Sequence, residues 1–235
     1  MNRKFKKLIT FICALALTIN LQAQEKRDFN HIQNGTVVKK IDVSEIDSIT
    51  FEIYTGPGIL INGVVWAPCN VDLPGTFTEH PYEVGLLYQW NRSLGWSLTD
   101  PMVNHQGGTT WDPSYPEGTT WTNNVCPQGW RVPTYAELER LTDSDSFLGE
   151  LNGIKGRFFG NGAQKVFIPV SNARNYTDGT FFGFQSDAFG YSWSSSSYTA
   201  EGAWYLGFDL IPEAMLVGIY AGYRSYAFPV RCVLE

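Results

Sequence analysis

Five short runs in the last third of the chain limit the fold more than any other feature: Lys165–Val170, Gly190–Ser195, Ala203–Asp209, Ala214–Tyr220 and Pro229–Val233. Each is β-like, each is too short for an independent helix, and turn residues bound each one, which predicts an antiparallel sheet. The chain ahead of them agrees. Ile59-Leu60-Ile61 and Val64-Val65-Trp66 flank Asn62-Gly63, a dipeptide that tolerates the left-handed backbone of a tight hairpin turn. Two segments predict helix. Thr134 and Glu137 have the spacing of a capping box, with Leu138 and Leu141 following on one face, so a helix is expected over about 135–142. Leu86, Leu87 and Trp90 give a second, shorter expectation over Val84–Arg92. Residues 95–120 have no period and predict a long irregular loop packed by Trp96, Trp111 and Tyr115. The composition supplies what such loops need: 23 glycines, 8 tryptophans, 12 tyrosines and 15 phenylalanines, with only 17% charged residues.

The amino terminus predicts export. Arg3, Lys4, Lys6 and Lys7 precede an apolar run, Leu8 to Ile19, of roughly a dozen residues, the length of a signal-peptide core and too short to span a bilayer. Leu21-Gln22-Ala23 offers a small residue for cleavage, so residues 1–23 read as a signal peptide. Cys13 lies inside the apolar run, which argues against lipidation. Removing those four basic residues leaves 13 basic against 23 acidic, a net charge of −10. That acidity excludes nucleic acid and anionic lipid as natural partners, since both need a basic face. No later apolar stretch approaches transmembrane length. Residues 24–58 read as an extension. Its first part, 24–35, is a polar lead-in without periodicity. Thr36–Ile41 and Ser48–Tyr54 follow as a β-hairpin or strand pair, and Gly56-Pro57-Gly58 marks the boundary with the main domain, 59–235.

Signatures of catalysis are missing from the sequence. His31, His80 and His105 have no metal-ligand spacing, there is no Gly-x-Ser-x-Gly elbow, and Gly160-Asn161-Gly162 lacks the rest of a dinucleotide fingerprint. Asp143-Ser144-Asp145-Ser146 starts like a calcium loop, but its glycine is one position late and the closing glutamate is missing. It reads as a solvated turn after the helix. No cofactor and no metal are therefore expected. Three cysteines follow the signal, Cys69, Cys126 and Cys232, and in an oxidising compartment they allow three pairings.

Long-spaced motifs resemble a known family. Trp121 to Thr134 (WTNNVCPQGWRVPT), then Gly190 to Ser196 (GYSWSSS), Ala203-Trp204, and the closing Val230-Arg231-Cys232-Val233 occur in the order of the Fibrobacter succinogenes major paralogous domain, abundant in exported Bacteroidetes proteins. Trp66-Ala67-Pro68 with Asn70, and Leu87-Tyr88-Gln89-Trp90, fit its first half, so the resemblance spans about residues 59–235. It implies an α+β, C-type-lectin-like fold of the subtype shared with formylglycine-generating enzymes and with retroelement-diversified variable proteins. It also implies a Cys126–Cys232 bridge, with Cys69 as the odd thiol. The calcium-chelating motifs of sugar-binding C-type lectins do not occur, and the cysteines fit a structural bridge better than a formylglycine-generating pair. Trp130, Trp193, Arg131 and Arg231 read as structural, the arginine fork being suited to holding irregular loops.

One surface candidate is left. Tyr198, Trp204, Tyr205, Tyr220, Tyr223, Arg224, Tyr226 and Phe228 crowd the carboxyl-terminal region, where diversified relatives carry their ligand contacts. Tyrosine and arginine give broad contact at low entropic cost. The expectation is an exported, non-enzymatic binding module for a protein or glycan, in the periplasm, on the outer surface or in the medium, with Tyr205, Tyr220, Tyr223, Arg224 and Tyr226 as contacts. A structural, adhesin-type surface component is the alternative reading, and an enzyme of unknown type the third.

Overall fold

Asn62 and Gly63 turn the chain as expected, with φ of 45° and 80°. The computed structural model describes residues 28–33, 36–42, 58–182, 189–210 and 217–235. The expected signal peptide, residues 1–23, and the strand expected over Ser48–Tyr54 lie outside these. Residues 1–52 and 53–235 form two compact units. In the first, β1 (Asp28–Gln33) pairs antiparallel with β2 (Thr36–Asp42), with a register shift after His31. Residues 28–33 are thus strand and not an irregular lead-in: β2 takes its described partner from the segment before it.

The second unit opens with the hairpin β3 (Ile59–Ile61) and β4 (Val64–Asn70). Then come β5 (Leu87–Gln89), β6 (Gly95–Trp96), β7 (Trp130–Arg131) and the helix α1 (Tyr135–Thr142). The meander β8 (Ser146–Leu151), β9 (Ile154–Asn161) and β10 (Gln164–Pro169) follows. The last third holds β11 (Ala173–Arg174), β12 (Phe181–Phe182), β13 (Phe189–Ser197), β14 (Gly202–Asp209), β15 (Val217–Tyr223), β16 (Ala227–Phe228) and β17 (Arg231–Leu234). Among the described residues of this unit the strands form four sheets, ordered β3-β4-β17-β7, β12-β11-β16-β5-β6, β10-β9-β8 and β13-β14-β15.

The expected α+β, C-type-lectin-like fold is overturned. Among the described residues there is one helix of eight residues, every strand pair is antiparallel, and the sheets pack in a sandwich-like arrangement. The cause is local. Only residues 134–142 combine a working cap with helical spacing: the Thr134 hydroxyl accepts from the Glu137 N–H, and the Glu137 carboxylate accepts from the Thr134 N–H at 2.7 Å. The second helix expected over Val84–Arg92 is β5 instead. Gly85 (φ 72°) and Asn91 (φ 55°) break the backbone on either side, and Leu87–Gln89 pair with β6 and β16. The run expected over Pro229–Val233 begins at Arg231, because proline has no N–H to give a ladder.

Two large apolar clusters, with a smaller third around Leu87, Trp96 and Ala227, hold the unit together among the described residues. One gathers Ala67, Tyr88, Trp90, Trp121, Val132, Trp193, Phe228 and Cys232; the other gathers Ile61, Trp66, Leu138, Leu141, Phe159, Val166, Leu206, Phe208 and Val233. Successive residues of β4 and β17, such as Trp66 and Ala67, or Cys232 and Val233, enter opposite clusters. A sheet buried on both faces reads as a near-continuous apolar run and not as alternation, which is the pattern of β4. Cys126 and Cys232 are bridged, with Cα atoms 6.1 Å apart, and Cys69 is a free buried thiol.

Irregular loops leave carbonyls without ladder partners, and buried arginines meet them. Arg231 is fully buried and donates to the carbonyls of Ala67, Pro68 and Phe167 and to Asn70 Oδ1. Arg174 donates to Ser97, Thr99 and Gly179 carbonyls from above the Phe181 ring. Arg131 instead grips Glu137 with two bonds of 2.8 and 2.6 Å, which ties β7 to the helix cap.

Candidate ligand-binding surface

The site is built on β14 and β15, where Tyr205 stands directly opposite Tyr220. Opposite residues share a face, so Tyr205 and Tyr220 point one way while Leu206 and Ile219 point into the second apolar cluster. Gly207 makes the aromatic face possible. A Cβ there would sit 2.9 Å from Tyr220 Cδ2, so the Tyr220 ring can lie flat on the sheet only over glycine. Tyr205 is half-buried and packs on Trp193 and Phe228, with ring centroids 5.9 and 4.8 Å away.

The turn from β15 to β16 carries the belt onward. The Tyr226 N–H donates to the Tyr223 carbonyl, and the two rings lie 6.3 Å apart. Two rings from distant loops join them. Tyr176 lies 4.6 Å from Tyr223 and 5.0 Å from Tyr226, and Tyr115 stacks on Tyr223 at 5.8 Å. Both loops are held in place. The Trp111 indole N–H donates to the Tyr176 carbonyl at 3.2 Å. Arg92 bonds the Asp112 carboxylate and donates to the Ser114 carbonyl and hydroxyl. Arg92 and the Ser114 hydroxyl and N–H hold the Asp112 carboxyl at about 2, below its ordinary range. The outcome is a contiguous band: Tyr115, Tyr176, Tyr223 and Tyr226, linked through Phe228 to Tyr205 and Tyr220. Tyr115, Tyr220 and Tyr223 are 36–41% exposed.

Arg224, expected as a ligand contact, has a different job. It is 2% exposed, lies 4.3 Å over the Trp90 ring, and donates to the carbonyls of Pro116, Thr199 and Gly202. It fastens the 116 and 199–202 loops to the turn that presents Tyr223 and Tyr226. Tyr198 and Trp204 also leave the group. Trp204 is on the opposite face of β14, against Tyr198 and against Tyr135 of α1, at 4.6 and 4.9 Å. Of the expected contacts, the structure brings together Tyr205, Tyr220, Tyr223 and Tyr226. It adds Tyr115 and Tyr176, which lie about 110 and 50 residues away in sequence from Tyr223–Tyr226. Sequence reading had placed Tyr115 in a packed loop and passed over Tyr176.

The electrostatics of the band are those of neutral phenols. Burial, followed by the neighbouring phenols Tyr226 and Tyr220, pushes Tyr205 up to about 12. Burial, with Tyr205 and Tyr226, does the same to Tyr191 beneath it. Tyr226 is raised by burial, Tyr176 and Tyr223. At neutral pH Tyr205 and Tyr226 therefore offer uncharged ring faces edged with hydroxyls.

A separate concavity lies elsewhere. It is an open groove of about 1080 Å³ lined by Phe77, Tyr82, Glu83, Val84, Ile154 and Ser171, among others. Its Glu83 carboxylate already accepts the His80 N–H at 2.8 Å. Burial also holds the Cys69 thiol protonated, outweighing the pull of Arg231. No family profile, curated protein or solved structure matches the chain.

Proposed function

We propose that the chain is an exported, non-enzymatic binding module, and that its ligand, a protein or a glycan, lies on the tyrosine band. One observation carries this reading: loops far apart in sequence are fastened so that Tyr115, Tyr176, Tyr223 and Tyr226 touch one another at the surface. A core does not need half-exposed rings, whereas rigid tyrosines with two side-chain torsions make efficient contact surfaces. The basic and apolar segment at residues 1–23 supports export, and the Cys126–Cys232 bridge fits an oxidising compartment. The motif order shared with the Fibrobacter succinogenes major paralogous domain supports membership in a family of exported surface proteins.

The test is a glycan array and a surface-protein array probed with the wild type and with the Tyr176→Ala/Tyr223→Ala variant. Both rings are partly exposed, so the variant keeps its melting temperature within a few degrees. Binding that the variant loses supports the proposal. Absence of wild-type binding on both arrays, or binding that the variant retains in full, refutes it.

A further inference from the structure

We infer that β15 is a self-pairing edge: two copies of the chain join antiparallel through Val217–Tyr223, extending β13-β14-β15 into one six-stranded sheet across a two-fold axis. This does not depend on the ligand reading above. The case starts from the ladder. The Arg224 N–H donates to the Glu201 carbonyl at 2.8 Å, so the neighbouring pair Gly202 and Tyr223 is of the non-hydrogen-bonded kind. Alternation then directs Gly218, Tyr220 and Gly222 toward β14. The N–H and C=O groups of Val217, Ile219 and Ala221 point away from the sheet. Among the described residues none of these six groups has a partner.

Exposed edges are normally blunted by lysine, proline, a bulge or shortness, because an open ladder recruits any other strand. β15 has none of these. It is seven residues long, carries no charge and no proline, and runs against β14 without the register shift that interrupts β13 and β14. An edge so unguarded fits one that is normally occupied.

The sequence of the strand says by what. Val217-Gly218-Ile219-Tyr220-Ala221-Gly222-Tyr223 is nearly symmetric about Tyr220. Turned antiparallel on itself, it sets Gly218 opposite Gly222, Ile219 opposite Ala221, and Val217 opposite Tyr223. The outward residues meet outward residues, so Ile219 and Ala221 of each copy exchange hydrogen bonds with Ala221 and Ile219 of the other. Tyr220 meets its own copy in a non-hydrogen-bonded pair, where Cα atoms approach to about 4.5 Å. No charge is buried and no register conflicts with the face that each copy already turns to its own core. An isologous contact of this kind closes on itself and so gives a dimer and not a fibre. It also sets the two tyrosine bands side by side on one sheet face.

The experiment uses the purified protein in two variants. Ala221→Lys places an ammonium on the sheet face at the pairing seam, directly opposite Ile219 of the other copy, and sedimentation velocity reads the oligomeric state. Tyr220→Cys tests the register, since a central non-hydrogen-bonded pair lies within the span a disulfide bridges. The wild type is expected to sediment as a dimer and Ala221→Lys as a monomer with an unchanged melting temperature. Tyr220→Cys is expected to form a covalent dimer on mild oxidation. A monomeric wild type at about 100 μM, where even a dimer constant of about 10 μM would leave most chains paired, overturns the inference. So does a dimer that survives Ala221→Lys, or one that Tyr220→Cys fails to cross-link.

Discussion

Replacing Cys126 and Cys232 together by alanine removes the one disulfide among the described residues, and the structure sets what that costs. The two residues are 106 apart in sequence. Cys232 lies in β17, which is paired on both sides, with β4 and with β7. Its neighbour Arg231 keeps four hydrogen-bonding partners that do not involve sulfur. The folded state therefore retains its ladder when the bridge is gone, and the main effect falls on the unfolded chain, which regains the freedom of a loop of that length. Loop-closure entropy for about 106 residues is worth about 4–5 kcal/mol at 25 °C. Small voids left by two buried sulfurs add about 1 kcal/mol. Against a total of about 5–15 kcal/mol for a domain of ordinary stability, the double variant is folded but marginal. Equilibrium urea unfolding, followed by circular dichroism, measures the loss. The m-value should rise as well, because an uncrosslinked chain exposes more surface when unfolded. Hydrogen exchange on the folded variant should still protect the Val233 amide. A loss below about 2 kcal/mol with an unchanged m-value, or loss of that protection, would refute the assignment of the effect to the unfolded state.

Three further predictions follow from the packing. Tyr191, 8% exposed, and Tyr205 have phenols held up to about 12, above their ordinary value of 10.0, so their stabilising effect is complete below pH 10 and is lost as pH rises toward 12. Chemical denaturation across that range should show stability falling only above pH 10, by up to about 1.4 kcal/mol per pH unit for Tyr191, and a flat profile would contradict it. Glu137 is pushed up by burial but pulled further down by Arg131 and Thr134, so its net contribution is present above the ordinary carboxylate range and fades as pH falls through its lowered value. Glu137→Gln should cost about 1–3 kcal/mol at neutral pH and flatten the acid limb of the stability profile, both measurable by thermal melts at several pH values. Trp193 is fully buried and its indole N–H donates to the Tyr88 carbonyl at 2.8 Å. Trp193→Phe should therefore cost about 2–4 kcal/mol in urea unfolding, through a void and an unpaired carbonyl.

Elements with a complete local signature were legible in advance. Thr134 and Glu137 placed the helix, Asn62-Gly63 placed a hairpin, and four of the five carboxyl-terminal runs became strands within a residue or two of their expected limits. The β8–β9 hairpin carried an equal signal in Asn152-Gly153, whose φ values of 51° and 79° turn the chain between Leu151 and Ile154, and it was overlooked. The helix expected over Val84–Arg92 failed because three apolar residues at helical spacing cannot outweigh two left-handed residues and partners on both sides. The fold class failed for a related reason. An α+β reading gave weight to a family resemblance, while the paired strands leave room for one eight-residue helix among the described residues.

Sequence by itself determined the ingredients of this protein: short β runs, turn dipeptides, one capped helix and a dense supply of tyrosine. Only tertiary structure decided how they are used. It drew Tyr115 and Tyr176 onto Tyr223, turned Trp204 away from Tyr205, and buried Arg224, expected as a ligand contact, under the loops that it fastens. The physical reason is that propensities, caps and turns act over a few residues, so neighbours in sequence can read them. Which face of a strand is open, and which loop carbonyl takes an arginine, depends on pairings between residues as distant as Arg231 and Ala67, 164 positions apart.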